Sequence, residues 1–223
     1  MSGSRAGFLE TVRKAVHAGS RAGHAAPLPE RGSVGYQGAG FNRSECFATQ
    51  LQAAGGRCYL VDSAEKAVQQ VAALLQALDA RKLVLGRGEW LDTVPLASTL
   101  TQIGFEVWQE NPDVPRAEAK ETLFQADAGI TGVDWLIAET GSIVVQSRPG
   151  QARSLSLLPP VHIAVAHRSQ LIPDLFDLFA KFPPNALPAN ITVITGPSKT
   201  GDIELRLVTG VHGPREVHVV LVN

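Results

Sequence analysis

Cysteine is scarce in this sequence, which has only two in 223 residues. The spacing of Cys46 and Cys58 matches no zinc or iron–sulfur motif, so we expect this chain to bind no metal and no cofactor. Two cysteines also cannot build a disulfide framework. A reducing, cytoplasmic compartment is therefore expected.

An excess of one charge is also lacking, because 20 Lys and Arg face 21 Asp and Glu, for a formal net charge of −1. Affinity for nucleic acid depends largely on neutralising phosphates, so we expect no nucleic-acid partner. Long apolar runs are absent as well. The runs at residues 161–166 and 217–222 fall well short of the roughly 20 residues that a spanning helix needs, so no membrane span is predicted.

The rest of the composition is that of a globular domain, with 44% hydrophobic and 18% charged residues. Phe8, Val12 and Val16 recur at helical spacing, and the sequence after them is rich in Gly, Pro and Ala. We predict an N-terminal helix and a Gly/Pro-rich loop over residues 1–41, followed by one domain over residues 42–223. The basic residues of that first helix leave a transit peptide open as an alternative.

Helix and strand patterns alternate through the first half of that domain. Asn42 and Ser63 are suited to cap helices, and apolar strands are predicted at residues 58–61, 82–85 and 105–108. Such alternation is typical of a parallel sheet with helices on both faces.

The second half of that domain has a different pattern of predicted elements. A tight turn joins two predicted strands at residues 135–138 and 142–146, which favours an antiparallel hairpin. Further strands are predicted at residues 161–166, 191–195 and 216–222, and a helix at residues 200–207. The predicted fold class is therefore α/β, with three layers and a mostly parallel sheet supplemented by an antiparallel hairpin.

The segment at residues 195–204 lies between a predicted strand and a predicted helix. Backbone N–H groups at a helix N-terminus favour anions, and Lys199 adds a positive charge, so a phosphate or carboxylate site is indicated. The alternative is a tight turn in which Asp202 and Glu204 complement the helix N-terminus.

Two further turns carry groups that can move protons. Glu139 stands at the predicted hairpin tip, and His212 stands in a Gly-rich loop before the last strand. The alternatives are structural: Gly141 supplies a positive φ, Ser142 makes a turn hydrogen bond, and His212 is a solvated side chain.

Several common cofactor motifs are incomplete. Gly86 and Gly88 follow a predicted strand, but Leu91 replaces the third glycine of a dinucleotide fingerprint. The Gly-Lys spacing of a Walker A loop and the G-x-S-x-G of a nucleophile elbow are also missing, and the six histidines show no zinc spacing.

Four sequence blocks, taken in order, resemble the LUD-domain family, and specifically its lactate-utilisation protein C branch. The blocks are GITGVD at residues 129–134, IAETGS at 137–142, TGPSKTGDIE at 195–204 and VHGPRE at 211–216. The looser pattern of helices and strands extends the resemblance back to about residue 42.

The resemblance implies a fold similar to the sugar-phosphate isomerase and CoA-transferase superfamily. It also implies a cluster-free subunit that works with two iron–sulfur proteins in oxidising L-lactate to pyruvate, with the clusters in those partners. An alternative is a stand-alone enzyme for a phosphorylated, CoA-linked or folate-type substrate.

We expect one pocket, at the carboxyl ends of the strands, to hold a small anionic ligand. Glu139 and His212 are the candidate catalytic residues. The candidate ligand-binding residues are Lys120, Thr140, Gly141, Ser142, Gly196, Pro197, Ser198, Lys199, Thr200, Asp202 and Gly213.

Overall fold

The computed structural model describes residues 4–19, 38–109, 111, 114, 116–182, 188–203 and 206–223. Contacts divide the chain into two units, residues 1–36 and residues 37–223. In the first unit, the predicted N-terminal helix is present as α1 (Arg5–Gly19).

The second unit contains the remaining described elements. Its helices are α2 (Arg43–Ala53), α3 (Ala64–Ala77), α4 (Leu96–Gln102), α5 (Arg116–Gln125) and α6 (Leu175–Ala180). Its strands are β1 (Arg57–Val61), β2 (Lys82–Leu85), β3 (Glu106–Gln109), β4 (Ala128–Thr131), β5 (Trp135–Ile137), β6 (Ser142–Gln146), β7 (Val161–His167), β8 (Leu171–Ile172), β9 (Ile191–Ile194), β10 (Lys199–Ile203), β11 (Arg206–Thr209) and β12 (Glu216–Val222).

A six-stranded parallel sheet forms the centre of this unit, in the order β1-β12-β7-β4-β2-β3. Its strands are apolar because both faces are covered. On β12, Val220 and Val222 pack into a core with α3 and α4, whereas Val219 and Leu221 pack into a core with α2 and the second sheet. The predicted layered α/β fold is confirmed.

The second sheet is mixed and has the order β8-β5-β6-β9. The predicted hairpin is confirmed as β5 and β6, which pair antiparallel with Trp135 opposite Val144. This hairpin does not extend the parallel sheet but is the middle of a separate one. Leu136 and Ile143 point from it into the core shared with α2.

Helix starts follow local capping chemistry. Asn42 accepts a hydrogen bond from the amide of Glu45, and Ser63 accepts one from the amide of Lys66, as the sequence predicts. Helix α6 begins at Leu175 because the side chain of Asp174, its N-cap, accepts a hydrogen bond from the amide of Asp177.

The helix predicted at residues 200–207 is wrong. The structure has the antiparallel pair β10 and β11 there, with Lys199 opposite Thr209 and Thr200 opposite Val208. Gly201 and the β-branched residues of this segment disfavour a helix, and the pairing of β10 with β11 satisfies backbone groups of both strands.

The order of strands along the chain reverses between β2 and β4. From β2 the chain moves outward to β3, and from β4 it moves the opposite way to β7. Open parallel sheets commonly bind ligands at the carboxyl ends of the strands where such a reversal occurs.

Candidate functional site

The turn between β5 and β6 is packed directly against α2. Gly141 has φ +63°, and a Cβ placed on it would lie 2.1 Å from the backbone nitrogen of Leu51. Only glycine fits this contact, so the structural role predicted for Gly141 is observed. Glu139, which precedes it in the turn, is half-buried.

A chain of three hydroxyl groups connects this turn to the segment after β9. Ser142 Oγ lies 2.7 Å from Thr140 Oγ1 and 2.7 Å from Thr195 Oγ1. Ser142 is 2% exposed. The structure therefore brings the turn that contains Thr140 and Ser142 together with the segment that begins at Thr195, although the two are more than fifty residues apart in sequence.

The segment that follows Thr195 lies on the carboxyl end of α2. A Cβ on Gly196 would lie 2.6 Å from the carbonyl oxygen of Ala54, and Lys199 Nζ donates a hydrogen bond of 2.6 Å to that same oxygen. A Cβ placed on the neighbouring Gly55 would lie 3.6 Å from the Cδ of Pro197. Lys199 thus neutralises the negative, carboxyl-terminal end of α2. The sequence predicted it at the positive, amino-terminal end of the helix expected at residues 200–207.

The other predicted residues of this segment lie next to the loop before β12. Ser198 receives a hydrogen bond from the amide of Gly210 and donates its own amide to Pro214, both at 2.9 Å. A Cβ placed on Gly213 would lie 3.2 Å from the Cβ of Ser198. Thr200 and Asp202 lie in β10, and the side chain of Asp202 is outside the described part of the chain.

These loops lie at the amino-terminal edge of the parallel sheet. The amide of Arg215 donates to the carbonyl of Pro160, so the loop that contains Gly213 stands where β7 and β12 begin. The predicted position, at the carboxyl ends of the strands, is wrong for this sheet. That expectation followed the superfamily, whereas in this structure the loop that contains Gly213 lies at the end of the sheet where β7 and β12 begin.

Lys120 and His212 line two adjoining clefts at this side of the molecule. Both side chains are exposed, and the clefts share Leu157 and Leu158. The larger cleft, of about 790 Å³, is lined by Trp108, Ala117, Ala119, Lys120, Leu123, Ser147, Ala152, Arg153, Ser154, Leu157 and Leu158. The smaller cleft, of about 350 Å³, is lined by Phe124, Leu157, Leu158, Pro160, Gly210, Val211, His212, Gly213 and Arg215.

The opposite edge carries a crevice that the sequence did not reveal. Asp134 follows β4, and its carboxylate accepts hydrogen bonds from the backbone and side-chain nitrogens of Gln146 while pairing with Arg148 at 3.0 Å. Trp90 stacks on His167 at 5.7 Å between ring centroids. About 430 Å³ is enclosed by Glu89, Trp90, Thr93, Val133, Asp134, Trp135, Arg148, Ser169 and Gln170. The position of Asp134 directly before the predicted strand at residues 135–138 was the one available signal.

Burial favours the neutral form of a histidine and of both cysteines. His162 on β7 is fully buried, and desolvation, with the charge of His218 adding to it, lowers its pKa to about 4. Its Nε2 lies 2.9 Å from Thr131 Oγ1. Burial raises the pKa of Cys58 to about 12, and burial together with Glu139 raises the pKa of Cys46, so both thiols stay protonated near neutral pH.

Among the residues that the structure describes, no group of three or more His, Cys, Asp or Glu side chains is arranged to hold a metal ion. Within the same residues, no helix combines the length and the apolar character needed to cross a bilayer.

The chain belongs to the LUD domain family, whose model matches residues 44–222. It is 36% identical over 167 residues to Lactate utilization protein C of Halalkalibacterium halodurans, covering 72% of this chain and 70% of that protein. It is 37% identical over 125 residues to Lactate utilization protein C of Bacillus subtilis, covering 54% and 52% of the two chains.

A solved structure with a similar fold is that of a DUF162 family protein from Deinococcus radiodurans. The match has a TM-score of 0.56 and 25% sequence identity, and it covers 82% of this chain and 99% of the other. The family resemblance inferred from the four sequence blocks is therefore confirmed.

Proposed function

We propose that this chain takes part in the utilisation of lactate, as the cluster-free subunit of a cytoplasmic, multi-protein iron–sulfur system that oxidises L-lactate to pyruvate. The observation that carries the proposal is the similarity to proteins named Lactate utilization protein C, at 36% and 37% identity for the two described above. The residues matched by the family model span nearly all of the second unit.

The two cysteines support assigning the clusters to partner proteins. Iron–sulfur clusters are held by several thiolates, whereas Cys46 and Cys58 are separate and have raised pKa values. In this proposal, electrons leave lactate through two iron–sulfur partners, and this chain supplies binding or positioning.

The predicted site residues remain part of the proposal. Glu139 and His212 would exchange protons with a hydroxyl-bearing carbon, while Lys199 and the loop around it would hold the carboxylate. The hydroxyl chain and the contacts at Ser198 support treating these loops as one region. The domain division at residue 41 is supported by the family match, which begins at residue 44.

The test is growth of the native host on L-lactate as sole carbon source after removal of this chain alone. We expect no growth on L-lactate, normal growth on pyruvate, and full rescue by the intact gene. L-lactate-dependent dye reduction in cell extracts, measured beside growth, shows whether another lactate dehydrogenase compensates. Unchanged growth together with unchanged dye reduction would contradict the proposal.

Rescue with variants then tests the site. We expect Glu139→Gln and Lys199→Ala to restore growth poorly while the protein accumulates normally, and the exposed-surface control Lys181→Gln to restore it fully. Full rescue by both site variants would remove these residues from the proposed mechanism.

A further inference from the structure

The two clefts share Leu157 and Leu158 in their linings, and we name the two together the Leu157 groove. Its floor is apolar and unusually open to solvent. Phe124 is 60% exposed, Val211 is 44% exposed, and Leu157 and Leu158 are 40% and 36% exposed. Contiguous exposed apolar side chains on a folded domain commonly mark a binding surface.

The charges along the groove all have one sign. Lys120 and Arg153 line the larger cleft, and Arg215 lines the smaller one. No acidic side chain lines either cleft among the described residues, and none of the three cations forms an ion pair with another described residue. A groove that is lined by cations and, among the described residues, by no acidic side chain favours an anion.

Local contacts hold two of these cations beside the apolar floor. Lys120 Nζ stands 5.6 Å from the ring centroid of Phe124, a cation–π distance. Arg215 lies across Gly210, where a Cβ would come within 2.1 Å of the arginine Cγ. The charged ends are therefore placed at the border of the apolar surface rather than dispersed in solvent.

We propose that the Leu157 groove binds a small organic anion, one that joins a phosphate, sulfonate or carboxylate group to an apolar or aromatic body. The apolar floor takes the body, and Lys120, Arg153 and Arg215 take the charge. The larger cleft alone, at about 790 Å³, falls within the range of small-molecule sites. This inference does not depend on the proposed role in lactate utilisation, since lactate has almost no apolar body.

The probe is 1-anilinonaphthalene-8-sulfonate, which has an aromatic body and one negative charge, and its fluorescence rises on binding. The matched neutral probe is N-phenyl-1-naphthylamine, which lacks the sulfonate. We expect the folded full-length chain to bind the anionic probe at one site and to bind the neutral probe more weakly. Equal affinity for the two probes would overturn the proposal, because the cations would then contribute nothing.

The variants separate charge from apolar area. Lys120→Met and Arg153→Gln should each weaken the anionic probe about two- to fivefold, the usual range for exposed ion pairs, and leave the neutral probe unchanged. Leu157→Gln should weaken both probes. Arg168→Gln is the matched control, because Arg168 also begins a short 3-10 helix but follows the opposite end of β7.

Competition experiments distinguish a small organic anion from free phosphate and from an acidic protein segment as the ligand of the groove. We expect 1-naphthyl phosphate to displace the anionic probe at much lower concentration than inorganic phosphate does. Unchanged binding by the Lys120→Met, Arg153→Gln double variant would overturn the assignment. So would displacement by poly-glutamate but not by 1-naphthyl phosphate, since the groove would then be a docking surface for acidic protein segments. None of these outcomes depends on growth on lactate.

Discussion

His162 makes the stability of this protein depend on pH in a way that can be worked out from its position. The side chain is fully buried and its pKa is lowered to about 4, whereas the unfolded chain has the ordinary value of 6.5. As pH falls below 6.5, the unfolded state gains a proton that the folded state cannot accept. The stabilisation from the neutral imidazole is complete above pH 6.5 and is lost as pH falls towards 4.

The magnitude follows from the difference between the two pKa values. At about 1.4 kcal/mol per pH unit, the full loss is about 3 kcal/mol, of which about 2 kcal/mol appears between pH 7 and pH 5. That is a large part of the usual free energy of unfolding of a domain. Burial also lowers the pKa of His218, so that residue contributes with the same sign.

The assay is urea unfolding at pH 7 and pH 5, followed by circular dichroism. The test variant is the double substitution Thr131→Val, His162→Leu, which removes both members of the buried hydrogen bond and leaves no polar group without a partner. We expect its free energy of unfolding to fall by about 2 kcal/mol less than that of the wild type between the two pH values. Thr131→Val alone keeps the histidine and should retain the wild-type pH dependence. If the free energy of unfolding falls equally in the wild type and the double variant between pH 7 and pH 5, the reasoning is refuted.

Three further predictions concern packing and charge. Gly141→Ala should lower the free energy of unfolding by about 3 kcal/mol, because its Cβ meets the backbone of α2, whereas Gly40→Ala, at a similar positive φ but in open space, should cost about 1 kcal/mol. Equal losses in urea unfolding would contradict the contact. Asp134→Ala should cost about 3 kcal/mol by leaving Arg148 and two other donors without an acceptor, and a loss below about 1 kcal/mol would show that solvent replaces the carboxylate. Lys199→Met should cost less than about 1 kcal/mol, because the ammonium that caps α2 is exposed; a larger loss in the same assay would show that the cap is structurally essential.

The elements that could be predicted are those decided by local pattern. The strands at residues 82–85 and 216–222 were predicted to the residue, because their apolar runs are bounded by polar or turn-forming neighbours. The helix prediction at residues 200–207 was wrong because acidic residues after a Gly-Pro pair resemble a helix start. These residues belong instead to β10 and β11, and no local pattern indicates that the two strands pair.

The candidate site was only partly predictable for a related reason. The blocks that contain Ser142 and Thr195 could be singled out as turns, but their hydrogen bond requires the pairing of β6 with β9. The edge of the sheet at which they lie depends on which strands begin there, which is a property of topology. Asp134 and Arg148 meet only because β5 and β6 pair in one particular register, so their ion pair could not be read from spacing.

The position of β12 has a consequence for how the chain folds during synthesis. This strand lies between β1 and β7 and is parallel to both, yet it is the last of the described strands to leave the ribosome. Until then β1 has no partner in the sheet while about 150 intervening residues are made, and the edge of β7 that pairs with β12 stays open while about 50 residues follow it. A nascent chain stalled before residue 216 would therefore be a natural client for chaperones, whereas release of the last strand would close the sheet in one step.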